Sequence, residues 1–155
     1  MAIKLILTDI DGVWTDGGMY YDQHNNELKK FHTYDSAGVM LAHEYGIPVG
    51  IITGENTDIV RRRAEKLSID YLYQGIHDKL SIAKSICEEL QINISEVAYI
   101  GDDLPDQECM ELVKVSGCPN DASEEIKSIC DFISEKNGGN GAVREFIDWI
   151  KSVYT

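Results

Sequence analysis

The stretch that most constrains the fold is Lys4-Leu5-Ile6-Leu7-Thr8-Asp9-Ile10-Asp11-Gly12, an apolar run that ends in two acids one residue apart and then a glycine. A run of this kind reads as a buried strand that delivers two carboxylates at its tip, with a sharp turn after them. In a parallel α/β sheet the ligand crevice lies at the carboxyl ends of the strands, so acids there are placed for chemistry. A spacing of two puts both side chains on one face of a regular strand; if the strand stops at Asp9 they diverge. Taken alone, the same residues also describe a solvated Asp-Gly turn. The rest of the chain decides between these readings.

After Gly12, Trp14 to Tyr21 and Glu27 to His32 are β-prone and are joined by the turn-like residues 22–26, which predicts a β-hairpin arm over about residues 14–32. Asp35-Ser36 offers an N-cap for a helix from Ala37 to Tyr45, stopped by Gly46. Ile47 to Thr53 is a second buried strand, and it ends in Thr53-Gly54. A helix over Thr57 to Leu67 carries Arg61, Arg62, Arg63 and Lys66, and a short strand follows over Asp70 to Tyr73. Asp78 caps a long helix to about Leu90 with Lys79 in its first turn, where a cation meets the positive helix end and calls for an anion. Val97 to Ile100 is the next strand, ending in Gly101-Asp102-Asp103 with Asp106 one turn further; Pro105 between them suits a first helical turn. Short β/α units follow at Val115 to Cys118, Ala122 to Ile129 and Phe132-Ile133, then a turn at 138–141 and an amphipathic helix from Ala142 to Val153.

Strands alternating with helices at this spacing predict one domain over residues 1–155: a doubly wound, Rossmann-like parallel α/β sheet with right-handed crossovers. Three strand tips then carry Asp9/Asp11, Thr53 and Asp102/Asp103, with Lys79 opening a helix between the last two. A net charge of −13, from 27 acidic against 14 basic residues, opposes nucleic acid as a partner. It would also repel an anionic substrate unless a cation reversed the field at the site, which points to a bound metal. No apolar stretch reaches the length of a membrane span, and the first strand begins too early for a leader, so cytoplasmic residence is expected. Cys87, Cys109, Cys118 and Cys130 have no metal-ligand spacing and read as reduced, buried residues. His24, His32, His43 and His77 show no ligand spacing either and read as surface or structural. Trp14, Tyr20 and Tyr21 fit hairpin packing as well as substrate contact, and Phe146, Ile147 and Ile150 fit a core face.

The ordered set Asp-x-Asp-Gly, strand-end Thr-Gly, Lys and Gly-Asp-Asp-x-x-Asp resembles the haloacid dehalogenase superfamily of phosphotransferases over essentially the whole chain. The resemblance implies phosphoryl transfer through an aspartyl phosphate, with Asp9 as nucleophile and Asp11 as the group that gives a proton to the leaving oxygen and later takes one from water. It implies Mg²⁺ held by Asp9, the backbone carbonyl of Asp11 and Asp102, with Asp103 and Asp106 behind these ligands. Thr53 and nearby N–H groups would bond the phosphoryl oxygens, and Lys79 would balance their charge.

There is no room for an inserted cap domain, so a neighbouring subunit is the expected lid. The opening decapeptide from Thr8, the stretch 35–38 and the tail 138–145 resemble the uncapped sugar-acid phosphatases of that superfamily. That resemblance implies a homotetramer with composite active sites, in which the arms form a central barrel and the tail, about residues 138–155, reaches an adjacent site. Within the group, Thr53-Gly54-Glu55 and the helix bearing Arg63 and Lys66 resemble the enzymes acting on nine-carbon 9-phosphates, 2-keto-3-deoxynononate or N-acetylneuraminate 9-phosphate. Gly54, Glu55, Arg63 and Lys66 are then the expected substrate contacts, the alternative being 3-deoxy-D-manno-octulosonate 8-phosphate. Two other classes stay open. A signalling receiver domain shares the acid, Thr and Lys set but lacks Asp-x-Asp-Gly at the first strand, and a non-catalytic partner of a sugar-acid synthetase or cytidylyltransferase would have lost Asp9 or Asp11.

Overall fold

The computed structural model of the chain describes residues 2–154; Met1 and Thr155 lie outside it. Apolar runs and helical repeats alternate along the sequence, and the elements follow them: β1 (Leu5–Thr8), the arm strands β2 (Tyr20–Tyr21) and β3 (Glu27–Leu28), α1 (Thr33–Glu44), β4 (Val49–Ile52), α2 (Asp58–Lys66), β5 (Tyr71–Tyr73) and α3 (Lys79–Leu90). The second half adds β6 (Val97–Ile100), α4 (Gln107–Leu112), β7 (Val115–Cys118), α5 (Glu124–Lys127), β8 (Phe132–Ile133) and α6 (Ala142–Tyr154). The main sheet is parallel in the order β5-β4-β1-β6-β7-β8.

Side chains alternate across each strand, so one sheet feeds two cores. Ile6, Ile51, Ala98 and Val115 face α1, α2 and α6, where Val39, Val60, Phe146 and Ile150 meet them. Leu5, Leu7, Val97 and Tyr99 face the other layer, built from Ala83, Ile86, Cys109 and Ile126. Since β1 lies between β4 and β6, strand order reverses on its two sides, and a crevice opens at its carboxyl tip where the flanking loops part. Phe146, Ile147 and Ile150 are core residues, as their spacing predicts.

Several local expectations are corrected. The arm is smaller than residues 14–32: only Tyr20 and Tyr21 pair with Leu28 and Glu27, and the turn is fixed by the Asp22 carboxylate, which accepts from the His24 and Asn26 N–H groups at 2.7 and 3.0 Å. Trp14 belongs to the core, not the arm, and its Nε1 donates to Thr8 Oγ1 at 2.6 Å. Helix α1 starts four residues early because the His32 ring, not Asp35-Ser36, accepts from the Tyr34 N–H. Asp35 is instead buried in the first turn and accepts from the Arg144 N–H at 3.0 Å. Within the chain the glycine turn and final helix pack on the fold: Gly139 N donates to Val13 O at 3.3 Å and α6 packs along α1. The four cysteines are free thiols; Cys118 and Cys130 touch at 3.2 Å between sulfurs. No described helix is long and apolar enough to cross a membrane.

Candidate active site

Asp9 follows the last residue of β1 and keeps the ladder to β6, donating its N–H to Ile100 O at 3.2 Å. The next residues wind into a tight turn in which the Val13 and Trp14 N–H groups both donate to Ile10 O at 3.0 and 2.9 Å. Gly12 is at φ +82°, and a Cβ there would lie 2.0 Å from Asp102 Oδ2. Glycine is required on both counts: the left-handed backbone and the close approach of the first turn to an acid of another strand. The backbone at Gly12 is thereby pressed against the carboxylate of Asp102.

Carboxylate oxygens of Asp9, Asp102 and Asp106 all lie within 4.8 Å of one another. Lys79 Nζ stands 3.1 Å from Asp9 Oδ1 and 2.8 Å from Asp106 Oδ1, with its side chain 4% exposed. Asp106 has its lone pairs engaged: Oδ1 accepts from Lys79 and from the Tyr99 hydroxyl at 2.6 Å, and Oδ2 from Asp102 N at 3.1 Å. It therefore braces the cluster, while Asp9 and Asp102 keep oxygens for a cation. Burial, and then the charge of Asp106, push the Asp9 carboxyl above its usual range against the pull of Lys79. Burial and then the charges of Asp9 and Asp106 raise Asp102 as well. One ammonium does not balance three clustered acids, two of them buried and Asp102 half-buried. A hard dication does, and the carboxylate oxygens of Asp9 and Asp102 are donors of the kind that magnesium accepts.

The crevice over this cluster encloses about 420 Å³ and is walled by Asp9, Asp11, Thr53, Glu55, His77 and Lys79, among others. Thr53 is buried at the β4 tip, tied by its N–H to Tyr73 O at 3.0 Å, with Gly54 exposed beside it. Asp103 stands behind the acids: its Oδ1 accepts from Leu104 N at 2.8 Å and its own N–H donates to Asp106 Oδ2 at 3.5 Å, so it shapes the loop that carries Asp106. Glu55 stands at the rim. Arg63 and Lys66 do not enter the crevice; they line an adjoining hollow of about 290 Å³. There the Arg63 guanidinium lies over the Phe31 ring and donates to Ser36 Oγ at 2.5 Å.

Two residues escape a reading of spacing. Lys29, from the arm, places its Nζ 2.8 Å from Asp11 Oδ1 and 3.1 Å from Glu55 Oε2. Burial works against its charge, but hydrogen bonds to those two carboxylates hold its pKa above the usual lysine value. His77, which reads as a surface or structural residue, lines both the crevice and a second recess formed with Leu104, Pro105 and Glu108. Only a signal of three-dimensional proximity would have found either.

A family model for haloacid dehalogenase-like hydrolases matches residues 55–147. A 3-deoxy-D-manno-octulosonate 8-phosphate phosphatase of Escherichia coli K12 is 40% identical over 146 residues, covering 94% of this chain and 78% of that protein. The chain belongs to the haloacid dehalogenase-like hydrolases. The corresponding phosphatase of Yersinia pestis is 38% identical, over 96% of this chain and 79% of that one. Among solved structures, the octulosonate 8-phosphate phosphatase of Moraxella catarrhalis, in complex with magnesium, phosphate and the sugar acid, superposes with a TM-score of 0.93 at 37% identity, covering 97% of this chain and 86% of that one. As a member of this hydrolase family the chain is a phosphatase, a hydrolase of phosphoric monoesters, and the receiver-domain reading is set aside.

Proposed function

We propose that the chain is a Mg²⁺-dependent phosphatase that removes the phosphate of a 3-deoxy-2-keto sugar acid. The observation that carries this reading is the cluster of Asp9, Asp102 and Asp106 around Lys79 at the tip of β1, with Asp11 on the next turn. Asp9 attacks phosphorus; the bond to the sugar oxygen breaks as Asp11 gives that oxygen its proton. Water then attacks the aspartyl phosphate, Asp11 takes its proton, and phosphate leaves with the Asp9 carboxylate restored. Lys79 fixes Asp9 and supplies positive charge beside the transferring group, and Thr53 closes the phosphate side of the crevice. A magnesium ion held by Asp9, Asp102 and the Asp11 carbonyl would neutralise phosphate charge as the acids approach it. Both Asp9 and Asp11 are present at the crevice, which supports an enzyme over a non-catalytic partner.

Octulosonate 8-phosphate is the substrate that the relatives support, since the curated proteins at 38–40% identity carry that activity in their names. This revises the nine-carbon expectation, which keeps one supporting observation: Glu55 at the rim, where its carboxylate bonds Lys29 and can accept sugar hydroxyls. We further propose assembly into a homotetramer with composite sites, supported by the open crevice and by the apolar arm. The test is a steady-state comparison of the eight-carbon 8-phosphate with a nine-carbon 9-phosphate. Higher kcat/KM on the eight-carbon ester is expected; the reverse preference, lost in Glu55→Ala, would restore the nine-carbon reading. Asp9→Asn must abolish turnover of both, and an active Asp9→Asn protein would exclude the aspartyl-phosphate route.

A further inference from the structure

Lys29 is one residue past an exposed arm strand, yet its side chain is 1% exposed. Three carboxylates from three segments converge on it: Asp11 from the turn after β1 at 2.8 Å, Glu55 from the loop after β4 at 3.1 Å, and Glu27 of the arm at 3.8 Å. Its neighbour Lys30 reaches the opposite way and donates to Gly139 O at 2.5 Å and Asn140 Oδ1 at 2.9 Å. The base of the arm is thus fixed on two sides, which limits where the Lys29 ammonium can go. Among the described residues, Lys29 is the hydrogen-bonding partner of the Asp11 carboxylate.

An acid that must meet a leaving oxygen works only if its carboxyl group is held within hydrogen-bond reach of that oxygen. Asp11 sits on a turn at the crevice mouth, where an unrestrained side chain would sample several rotamers. An ammonium suits the task of restraint, because it has donors and no acceptor and so fixes one carboxylate oxygen while leaving the other open. We propose that Lys29 is a positioning residue for the reaction: it holds the Asp11 carboxyl group at the crevice mouth, with Glu55 as the anchor on its far side. The inference rests on the phosphatase reading and on Asp11 as the proton donor.

The leaving group provides the discriminating test. When the ester oxygen is a primary alkoxide, it needs the proton from Asp11 as the bond to phosphorus breaks; p-nitrophenolate departs without one. In Lys29→Met the ratio of kcat on octulosonate 8-phosphate to kcat on p-nitrophenyl phosphate should fall at least about tenfold, since a positioned general acid contributes a hundredfold or more. Lys29→Arg, which keeps a cation and donors, should recover most of that ratio. Lys29→Gln, with a donor but no charge, should fall between them, and it provides the measurement if the methionine variant does not fold. An equal fall on both esters would make Lys29 merely structural, and an unchanged kcat on both would leave it idle; either result overturns the proposal. A wild-type protein inert on both esters would instead refute the phosphatase reading itself, and the positioning role with it.

Discussion

Asp35 and Asp106 are both fully buried acids, and they differ in what surrounds them. Asp106 has three close donors, whereas Asp35 Oδ2 is buried with no partner. Burial raises the Asp35 pKa from 3.8 to about 6, against the Arg144 and Val143 N–H groups and the charges of His32 and Arg63. A raised carboxyl pKa means that the folded state binds the proton more tightly, so stability falls as pH rises from about 4 through about 6 and stays lower above that window. A shift of about two pH units corresponds to about 3 kcal/mol at neutral pH. Asp35→Asn should therefore gain stability over wild type in urea titrations at pH 7.5, by an amount that vanishes near pH 4. A gain that is the same at both pH values would show that the buried charge is not its source. At this scale the strand-tip residues Asp9, Asp11, Thr53 and Asp102 were legible, because apolar runs mark the strands and tips mark the crevice, and Lys79 was legible as a cation at a helix start. Lys29 was not: its partners stand 18 and 26 residues away, and no periodicity links an arm to a strand tip. Arg63 and Lys66 share a helix face as their spacing requires, but spacing does not say which hollow that face lines.

The elements legible in the sequence are those whose signals are local. Asp78 caps α3 as its residue type predicts, through Ser81 N at 3.1 Å, and Thr57, read as the first residue of its helix, caps α2 through Val60 N at 3.2 Å. The start of α1 was misread because a histidine ring took the capping place and Asp35 was drawn to α6, a contact 109 residues away. The turn at 138–141 reads as a glycine-rich turn, and that composition does not say what the turn sits on. A Cβ on Gly138 would meet Gly12 O at 2.0 Å and Thr15 O at 2.6 Å, so this turn is seated directly on the turn after β1. Backbone atoms cannot yield there as a side-chain end would. Gly138→Ala should push the Asp11-Gly12 segment off its position and lower kcat by about tenfold or more, since sub-ångström placement governs such rates. Gly46 makes the comparison: at φ +73° with open space around its Cβ position, Gly46→Ala should cost about 1 kcal/mol of stability and leave kcat unchanged. Equal kcat in the two variants would mean that the 138–141 turn does not hold the site.

At the scale of the molecule, the open crevice and the exposed arm point to the same arrangement. The acid cluster lies within one chain, whereas no element among the described residues caps the crevice. Met19, Tyr20, Tyr21 and Leu28 stand 42–69% exposed on a two-stranded ribbon that has no sheet of its own to join. A ribbon of two residues per strand is not stable alone in water, so apolar side chains on both of its strands call for a partner surface. In a molecule of net charge −13, long-range repulsion opposes self-association, and the apolar contact has to outweigh it. The paired substitution of Tyr21→Asp with Leu28→Asp adds charge to the patch without touching Lys29 or the acids. Light scattering should give a tetramer for the wild type and a monomer for the double variant, with tetramer mass recovered more fully at high salt if repulsion is the opposing force. The monomer should keep turnover of p-nitrophenyl phosphate, whose reacting groups all come from one chain, while KM for the sugar-acid phosphate rises because the neighbouring wall is gone. A wild-type monomer with a low KM for the sugar-acid ester would show that each crevice encloses its substrate unaided.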